Sequence, residues 1–292
     1  MDYFKKVNLF FILLIFTFSH ACQQPIIKKS ENNLNAYEIS HEERQWLTQF
    51  FYDVMLDEHG IYTLWGSKPL TLIVIEKYSN EEIKKYNDSF SEEEKKETII
   101  VEDYSLPETW DKWESIKSRF PMNRYLLFKT EMFEKEENTE FVLFVDLLKT
   151  ANLIQEHYSA FQKVVRYDFH PLEVTLEIQQ ANSKFWQKVK GNSDLFGLLY
   201  GFGATNANSF HWKYFDHPAG CEEFCEKING TSSNPLIYGH VKYTIDYFDL
   251  PSFASFSEFD DVIEKYKKER SWIQQQYKGK DFLDLTLQRL ME

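Results

Sequence analysis

The sequence is poor in cysteine, glycine, proline and arginine: 3 Cys, 10 Gly and 8 Pro stand among 292 residues. Three cysteines cannot build the multiple-disulfide framework of a small secreted scaffold, and so little Gly and Pro excludes a collagen-like or low-complexity chain. Only 6 of the 33 basic side chains are Arg, and 46 carboxylates outweigh them to a formal net charge of -13. Without clustered cations a protein cannot displace counterions from a phosphate backbone, so no nucleic-acid partner is expected. Long apolar runs are also missing. The most apolar stretch, Leu9 to Phe18, has 10 residues, whereas a membrane-spanning helix takes about 20.

With 43% hydrophobic residues the chain can bury a core, and its length permits one large domain or two small ones. Aromatics are plentiful, at 26 Phe, 17 Tyr and 7 Trp. Two readings compete for that surplus: core packing under an A+T-rich coding bias, which would also explain the excess of Lys over Arg, and a ligand-stacking surface.

The amino terminus has the form of an export signal. Lys5 and Lys6 precede the apolar run, and Ser19-His20-Ala21 presents small residues before Cys22. This arrangement resembles a bacterial lipoprotein signal, which implies acylation of the Cys22 thiol, with palmitate among the acyl groups, after removal of residues 1–21. Ser19 and His20 depart from the Leu and small residue of that pattern, and ordinary signal cleavage after Ala21 would fall at the same bond. The several acyl chains of such an anchor would hold the protein on the inner or outer membrane of the cell envelope, where one chain binds only marginally. Cleaved but not acylated, the chain would be secreted or periplasmic. Residues 22–39 are polar and read as a tether.

From position 40 the sequence predicts a folded body to 292, with 40–146 and 147–292 as possible lobes. Ser40-His41-Glu42-Glu43 forms a capping-box pattern ahead of Trp46, Leu47, Phe50, Phe51, Val54 and Met55, so a helix is expected over about 41–58. Ile61–Trp65 and Leu70–Tyr78 flank Gly66-Ser67-Lys68-Pro69 and read as a hairpin. Residues 79–96 read as a solvated helix or loop, and a short helix is expected between Pro107 and Pro121. A second hairpin is expected from 123–133 and 139–146, running directly into a helix of about five turns on Leu147, Ala151, Ile154, Tyr158, Phe161 and Val165. Further helices are expected over 171–190, on both sides of a glycine corner at Gly201 and Gly203, and over 257–278 and 281–290; Leu236 to Phe248 reads as a strand. The expected class is α+β, with antiparallel β-hairpins packed against amphipathic helices and a helix-rich C-terminal half.

Gly197-Leu-Leu-Tyr-Gly-Phe-Gly203 with Asn206, Asn208 and Ser209, and Tyr277-Lys-Gly-Lys-Asp-Phe-Leu-Asp-Leu-Thr-Leu287, are similar to segments of uncharacterised proteins from intracellular bacteria. The likeness covers about the last half of the chain, its motifs are of low specificity, and it implies no activity and no catalytic residue.

Common catalytic signatures fail. His41-Glu42-Glu43-Arg44-Gln45 lacks the second histidine of a zinc-protease helix; there is no Gly-x-Ser-x-Gly elbow and no phosphate-cradling loop. Gly201-Phe-Gly203 sits in a helical pattern rather than after a strand. His211, His217, Cys221 and Cys225 bring four nitrogen or sulfur ligands into fifteen residues, enough for a tetrahedral zinc site, though the spacing is wider than the usual knuckle. Cys221 and Cys225 equally suit a disulfide in an oxidising compartment, or two free thiols. Asp146, Asp216 and Asp246 are carboxylates that a histidine could join in acid–base work. The sequence therefore leads to a lipid-anchored envelope protein, leaning away from catalysis, that needs no cofactor and binds a protein partner or surface ligand. The competing expectation is a periplasmic or surface metal-dependent hydrolase using the His211, His217, Cys221 and Cys225 cluster.

Overall fold

The computed structural model describes residues 38–96, 105–133, 138–215, 228–234, 243–257 and 259–292. The body begins with α1 (His41–Tyr52), whose capping box is complete: Ser40 Oγ accepts the Glu43 N–H at 3.1 Å while Glu43 Oε2 accepts the Ser40 N–H at 2.9 Å. Past Tyr52 the helix widens into a single π-helical turn, Asp53–Asp57. His59 then takes a left-handed conformation, φ 59°, and a short helix α2 (Gly60–Leu64) follows.

Strand β1 (Leu70–Glu76) precedes α3 (Asn80–Asp88), which Ser79 and Glu82 start with a second capping box, and α4 (Leu106–Ile116), with Pro107 in its first turn. Strands β2 (Tyr125–Thr130) and β3 (Thr139–Asp146) form the expected hairpin. Thereafter come α5 (Leu147–Glu156), α6 (Tyr158–Val165), α7 (Pro171–Leu176), α8 (Lys184–Val189), α9 (Ser193–Leu199) and α10 (Ala204–Tyr214). A two-residue ladder of β4 (Thr231–Ser232) with β5 (Ala254–Ser255), then α11 (Asp261–Tyr277) and α12 (Phe282–Leu290), complete the described chain.

The main sheet is antiparallel with order β1-β3-β2. Its pleat assigns every side chain to one of two faces. Leu70, Leu143, Val145 and Phe128 point to one side and join a buried cluster with Ile154, Phe161, Ile178, Phe185, Trp186, Val189 and Leu199 from α5 to α9 and the 3₁₀ turn after α7. Thr71, Phe144, Tyr125 and Asp146 point the other way. There Thr71 Oγ1 lies 2.9 Å from Thr63 Oγ1 of α2, and the Tyr125 hydroxyl donates to the Leu64 carbonyl at 2.9 Å. Helices thus cover both faces, an α+β architecture built around a three-stranded antiparallel sheet.

The largest fully buried side chains are all aromatic. Trp110, Trp113, Trp186, Tyr62, Tyr125, Tyr266, Phe50, Phe51, Phe120, Phe144, Phe161 and Phe185 are fully buried. Trp113 lies between Phe50 and Phe120, its centroids 5.3 and 5.7 Å away in stacked geometry.

The glycine corner joins α9 to α10 at close range. A β-carbon on Gly197 would lie 2.6 Å from the Ala207 β-carbon, and Gly201 and Gly203 hold φ of 80° and 79°. Asn206, buried in the first turn of α10, donates to the Phe202 carbonyl at 3.1 Å and to Asp260 Oδ2 at 2.7 Å, tying the corner to the start of α11. The glycines and Asn206 of the first resembling segment are accordingly packing and joining residues.

Three expectations need correction. Residues 61–65 are not a strand: α2 is helical, and β1 pairs with β3 rather than with the segment before it. Ile61, Tyr62, Thr63 and Leu64 are all buried, so they show no alternation, and an apolar run of β-formers does not separate a short helix from a strand. The five-turn helix is broken at His157 into α5 and α6. The helix expected over 171–190 is likewise α7, a 3₁₀ turn and α8, with Ser183 capping the second piece by accepting the Trp186 N–H. The strand expected at 236–248 lies partly outside the described residues; its described end is a turn closed by a Thr244–Tyr247 bridge.

Candidate functional site

Two places in the body combine concavity or perturbed chemistry with local structure that positions them. The first is an open cleft of about 760 Å³ at the far end of the β2–β3 hairpin. One wall is Lys129 to Phe133 with Thr139, Glu140 and Phe141; the other is Ile178 to Ala181 with Trp186 and Gln187. The apolar side is set by the pleat, since Phe141 faces the same layer as Leu143, and Phe133 packs against Phe141 and Phe196 at 5.3 and 5.5 Å. Trp186 is fixed by its indole N–H, which donates to the Val174 carbonyl at 2.7 Å. Around these rings stand the exposed amides of Gln179, Gln180 and Gln187. Glu140, on the central strand β3, pairs with Lys77 just after β1 at 2.7 Å and with Lys129 of β2 at 2.6 Å. Burial works against its charge, but the two lysines hold its carboxyl below the usual carboxylate range. A cleft of this size, apolar at its base and lined by a few amides and hydroxyls, suits a small ligand or a peptide side chain.

The second place is the turn from α1 to α2, which gathers ionisable groups from an exposed rim at Asp57 to a buried base at Asp53 and Lys68. Asp53 is buried on the π turn and accepts Gln49 Nε2 at 2.7 Å and Ser105 Oγ at 3.2 Å. Burial outweighs those bonds and pushes its carboxyl up to about 6. Asp57 reaches solvent at the rim, yet partial desolvation and the neighbouring Asp53 push it up to about 7. Glu58 is pushed up to about 7 by burial and by Asp57, against the pull of Lys68 and of the Val74 N–H that its carboxyl accepts on edge strand β1. Lys68 is buried beside the Gly201 corner, and desolvation brings it down to about 7 despite Glu58. His59 is driven down to about 3 by burial and by Lys68, so its imidazole is neutral, and its Nε2 has no hydrogen-bond partner among the described residues. Single π turns and left-handed non-glycine residues cost stability and recur at functional sites. Chemically, the set places carboxyls and an amine that exchange protons near neutral pH beside a neutral imidazole.

Sequence reasoning missed this second place because Asp53, Asp57 and Glu58 fall within an amphipathic pattern as ordinary polar positions. The signal available was the density of four ionisable residues, Asp53, Asp57, Glu58 and His59, within seven positions, next to the apolar run at 61–64.

Of the residues singled out from sequence, His211 is described: its Nδ1 lies 2.7 Å from Ser193 Oγ, and its ring stacks on Phe215. His217, Cys221 and Cys225, and with them the possible Cys221–Cys225 disulfide, lie outside the described residues, as do Cys22 and Asp216. Among the described residues no three His, Cys, Asp or Glu side chains are placed to hold a metal ion. Asp146 is engaged structurally with Arg124 and Lys149, and exposed Asp246 accepts Gln274 Nε2 through its backbone carbonyl at 2.9 Å. Among the described residues no helix is long and apolar enough to cross a membrane. Comparison of the chain with protein-family models, curated proteins and solved structures yields no match.

Proposed function

We propose that the chain is an exported protein held on the bacterial cell envelope by lipid on Cys22, and that its folded body is a binding module for a surface ligand or protein partner. The cleft between the described outer end of the β2–β3 hairpin, Lys129 to Phe133 with Thr139 to Phe141, and the turn before α8 carries the binding reading, because it joins aromatic and thioether surface to amide and hydroxyl groups in one concavity. Anchoring is supported by the basic pair, the short apolar run and Ala21-Cys22. The probe is 8-anilinonaphthalene-1-sulfonate. Its fluorescence should rise with the native protein, and Phe133→Glu, compared at a temperature where both proteins are folded, should weaken that binding about tenfold. Equal dye binding by both proteins would remove the cleft from the proposal.

One observation favours catalysis: Asp57, Glu58 and Lys68 are poised near neutral pH beside a neutral His59. The reaction class would be acid–base hydrolysis, distinct from a zinc hydrolase built on His211, His217, Cys221 and Cys225. Turnover of p-nitrophenyl acetate or p-nitrophenyl phosphate that survives a chelator and is lost in Glu58→Gln would establish it. Turnover lost to the chelator would select the metal-dependent form, and no turnover leaves the binding module.

A further inference from the structure

Lys68 is 6% exposed in the connection from α2 to β1, and its ammonium has no hydrogen bond and no ion pair among the described residues. Its main chain is fixed, since the Lys68 N–H donates to the Tyr62 carbonyl at 3.3 Å. Its stem passes the glycine corner, where a β-carbon on Gly201 would lie 3.4 Å from Lys68 Cγ. Lys149 shows the usual treatment of a withdrawn lysine: it donates to the Thr63 carbonyl at 2.6 Å and pairs with Asp146 at 3.1 Å. A buried amine without such partners calls for an explanation, and one is that the amine itself reacts. The neighbouring imidazole is unpartnered too, because His59 Nε2 is buried without a hydrogen bond among the described residues and lies within electrostatic range of Lys68. Glu58 completes the group, facing Lys68 with Asp57 and Asp53 close behind.

The surrounding charge selects the chemistry. An acyl adduct would discard the positive charge facing Glu58, and a carbamate would set an anion beside it. Addition to an aldehyde or ketone ends in an iminium, which keeps the charge. In that reaction the neutral amine attacks the carbonyl carbon, the carbonyl π electrons pass to oxygen, and a proton moves from nitrogen to oxygen. The Glu58 carboxyl then protonates the carbinolamine hydroxyl, water leaves, and the C=N bond forms with nitrogen carrying the charge. Amine, carbonyl and one proton thus give iminium and water, with nothing oxidised or reduced. Desolvation, which leaves Lys68 partly neutral at pH 7, supplies the free amine that the first step needs.

We infer that Lys68 is an amine nucleophile for a small aldehyde or ketone, with Glu58 as its proton donor. An amine this enclosed admits only a small carbonyl compound. The assignment shares its residues with the hydrolytic reading but does not depend on it: a protein that turns over no p-nitrophenyl ester still traps a carbonyl at Lys68, and ester turnover without trapping refutes the nucleophile alone.

The test treats the folded chain at pH 7 with acetaldehyde and sodium cyanoborohydride, which reduces an iminium to a stable ethylamine, and locates the label by peptide mapping. Lys68 is expected to label about tenfold faster than the exposed Lys84 and Lys85 of α3, because an ordinary lysine amine holds its proton at that pH. In urea, where the turn is dismantled, that advantage should vanish. Glu58→Gln, compared while folded, should slow labelling of Lys68 about tenfold, and Lys68→Arg should remove the fast-labelling site and leave the surface lysines unchanged. A Lys68 that stays unlabelled in the native chain, labels no faster than Lys84 and Lys85, or keeps its advantage in urea overturns the proposal. An unchanged rate in folded Glu58→Gln overturns the role given to Glu58. The native-chain comparison needs no variant, so a substitution that fails to fold leaves the test intact.

Discussion

The Asp146 carboxylate binds Arg124 and at the same time starts α5. Its Oδ2 accepts Arg124 Nε and Nη2 at 3.0 and 2.7 Å, while its Oδ1 accepts the N–H groups of Leu148 and Lys149 at 3.1 and 3.0 Å. Lys149 returns to Oδ2 at 3.1 Å and donates to the Thr63 carbonyl at 2.6 Å, so one buried side chain joins β3, the approach to β2, α5 and α2. The strand-to-helix transition in mid-chain is a helix cap built from the last residue of the strand.

Asp146→Ala leaves Arg124 and Lys149 without their shared anion and should cost about 3–5 kcal/mol in urea unfolding. Asp146→Asn keeps an acceptor for the cap and should cost less. Burial raises the Asp146 carboxyl, but Arg124 and Lys149 dominate and lower it below the usual range. Its contribution is therefore full above the unfolded value of 3.8 and is lost as pH falls through the folded one. An Asp146→Ala cost that stayed constant from pH 6 to pH 2 would contradict this assignment.

The α1–α2 turn should give stability a minimum near neutral pH. With Asp53, Asp57 and Glu58 raised toward 6 and 7, the folded state holds more protons than the unfolded between about pH 4 and 7, so stability falls as pH rises there. His59, lowered to about 3, opposes part of that slope below pH 6.5. Lys68, lowered to about 7, makes the unfolded state the better proton binder from about pH 7 to 10.5, and stability recovers. Urea unfolding at pH 5, 7 and 9 should show a dip on the order of 2 kcal/mol at pH 7. Glu58→Gln should flatten the acid side and Lys68→Met the basic side; a profile unchanged in both would remove the cluster's role.

Trp113 supplies apolar area and shape rather than a hydrogen bond, since its indole N–H is buried without a partner among the described residues. Trp113→Phe keeps the ring stack and should cost under about 1.5 kcal/mol, while Trp113→Ala opens a cavity and should cost about 3–5 kcal/mol. Equal losses in thermal unfolding would mean that the indole edge matters more than the stack.

At the glycine corner, Gly197→Ala places a methyl against Ala207 and should cost about 1–3 kcal/mol by forcing α9 and α10 apart. Gly197→Ala combined with Ala207→Gly should recover much of that loss, which a purely local helix effect would not.

Features set by local chemistry were legible in the sequence. Ser40 and Glu43 form their capping box, Thr139 to Asp146 pairs in the expected hairpin, and the helices on either side of Gly201 and Gly203 meet at those residues. What escaped depends on tertiary surroundings. Ile61 to Leu64 is buried all round and so carries no period, and the pairing of β1 with β3 spans some seventy residues. The ionisable turn looked ordinary because solvation of Glu58 and Lys68 is decided by β1 and the Gly201 corner, distant in the sequence. The metal-ligand set was conspicuous in sequence, but His211 is the single member within the described residues, and its Nδ1 is matched to Ser193.

The most direct test of the account is the intact mass of the native protein extracted from membranes. A chain starting at Cys22 and carrying acyl mass on that residue, with Cys22→Ser released to the soluble fraction, is the predicted result. An unmodified chain, an N-terminus other than Cys22, or undiminished membrane retention of Cys22→Ser would contradict a lipid-anchored envelope protein.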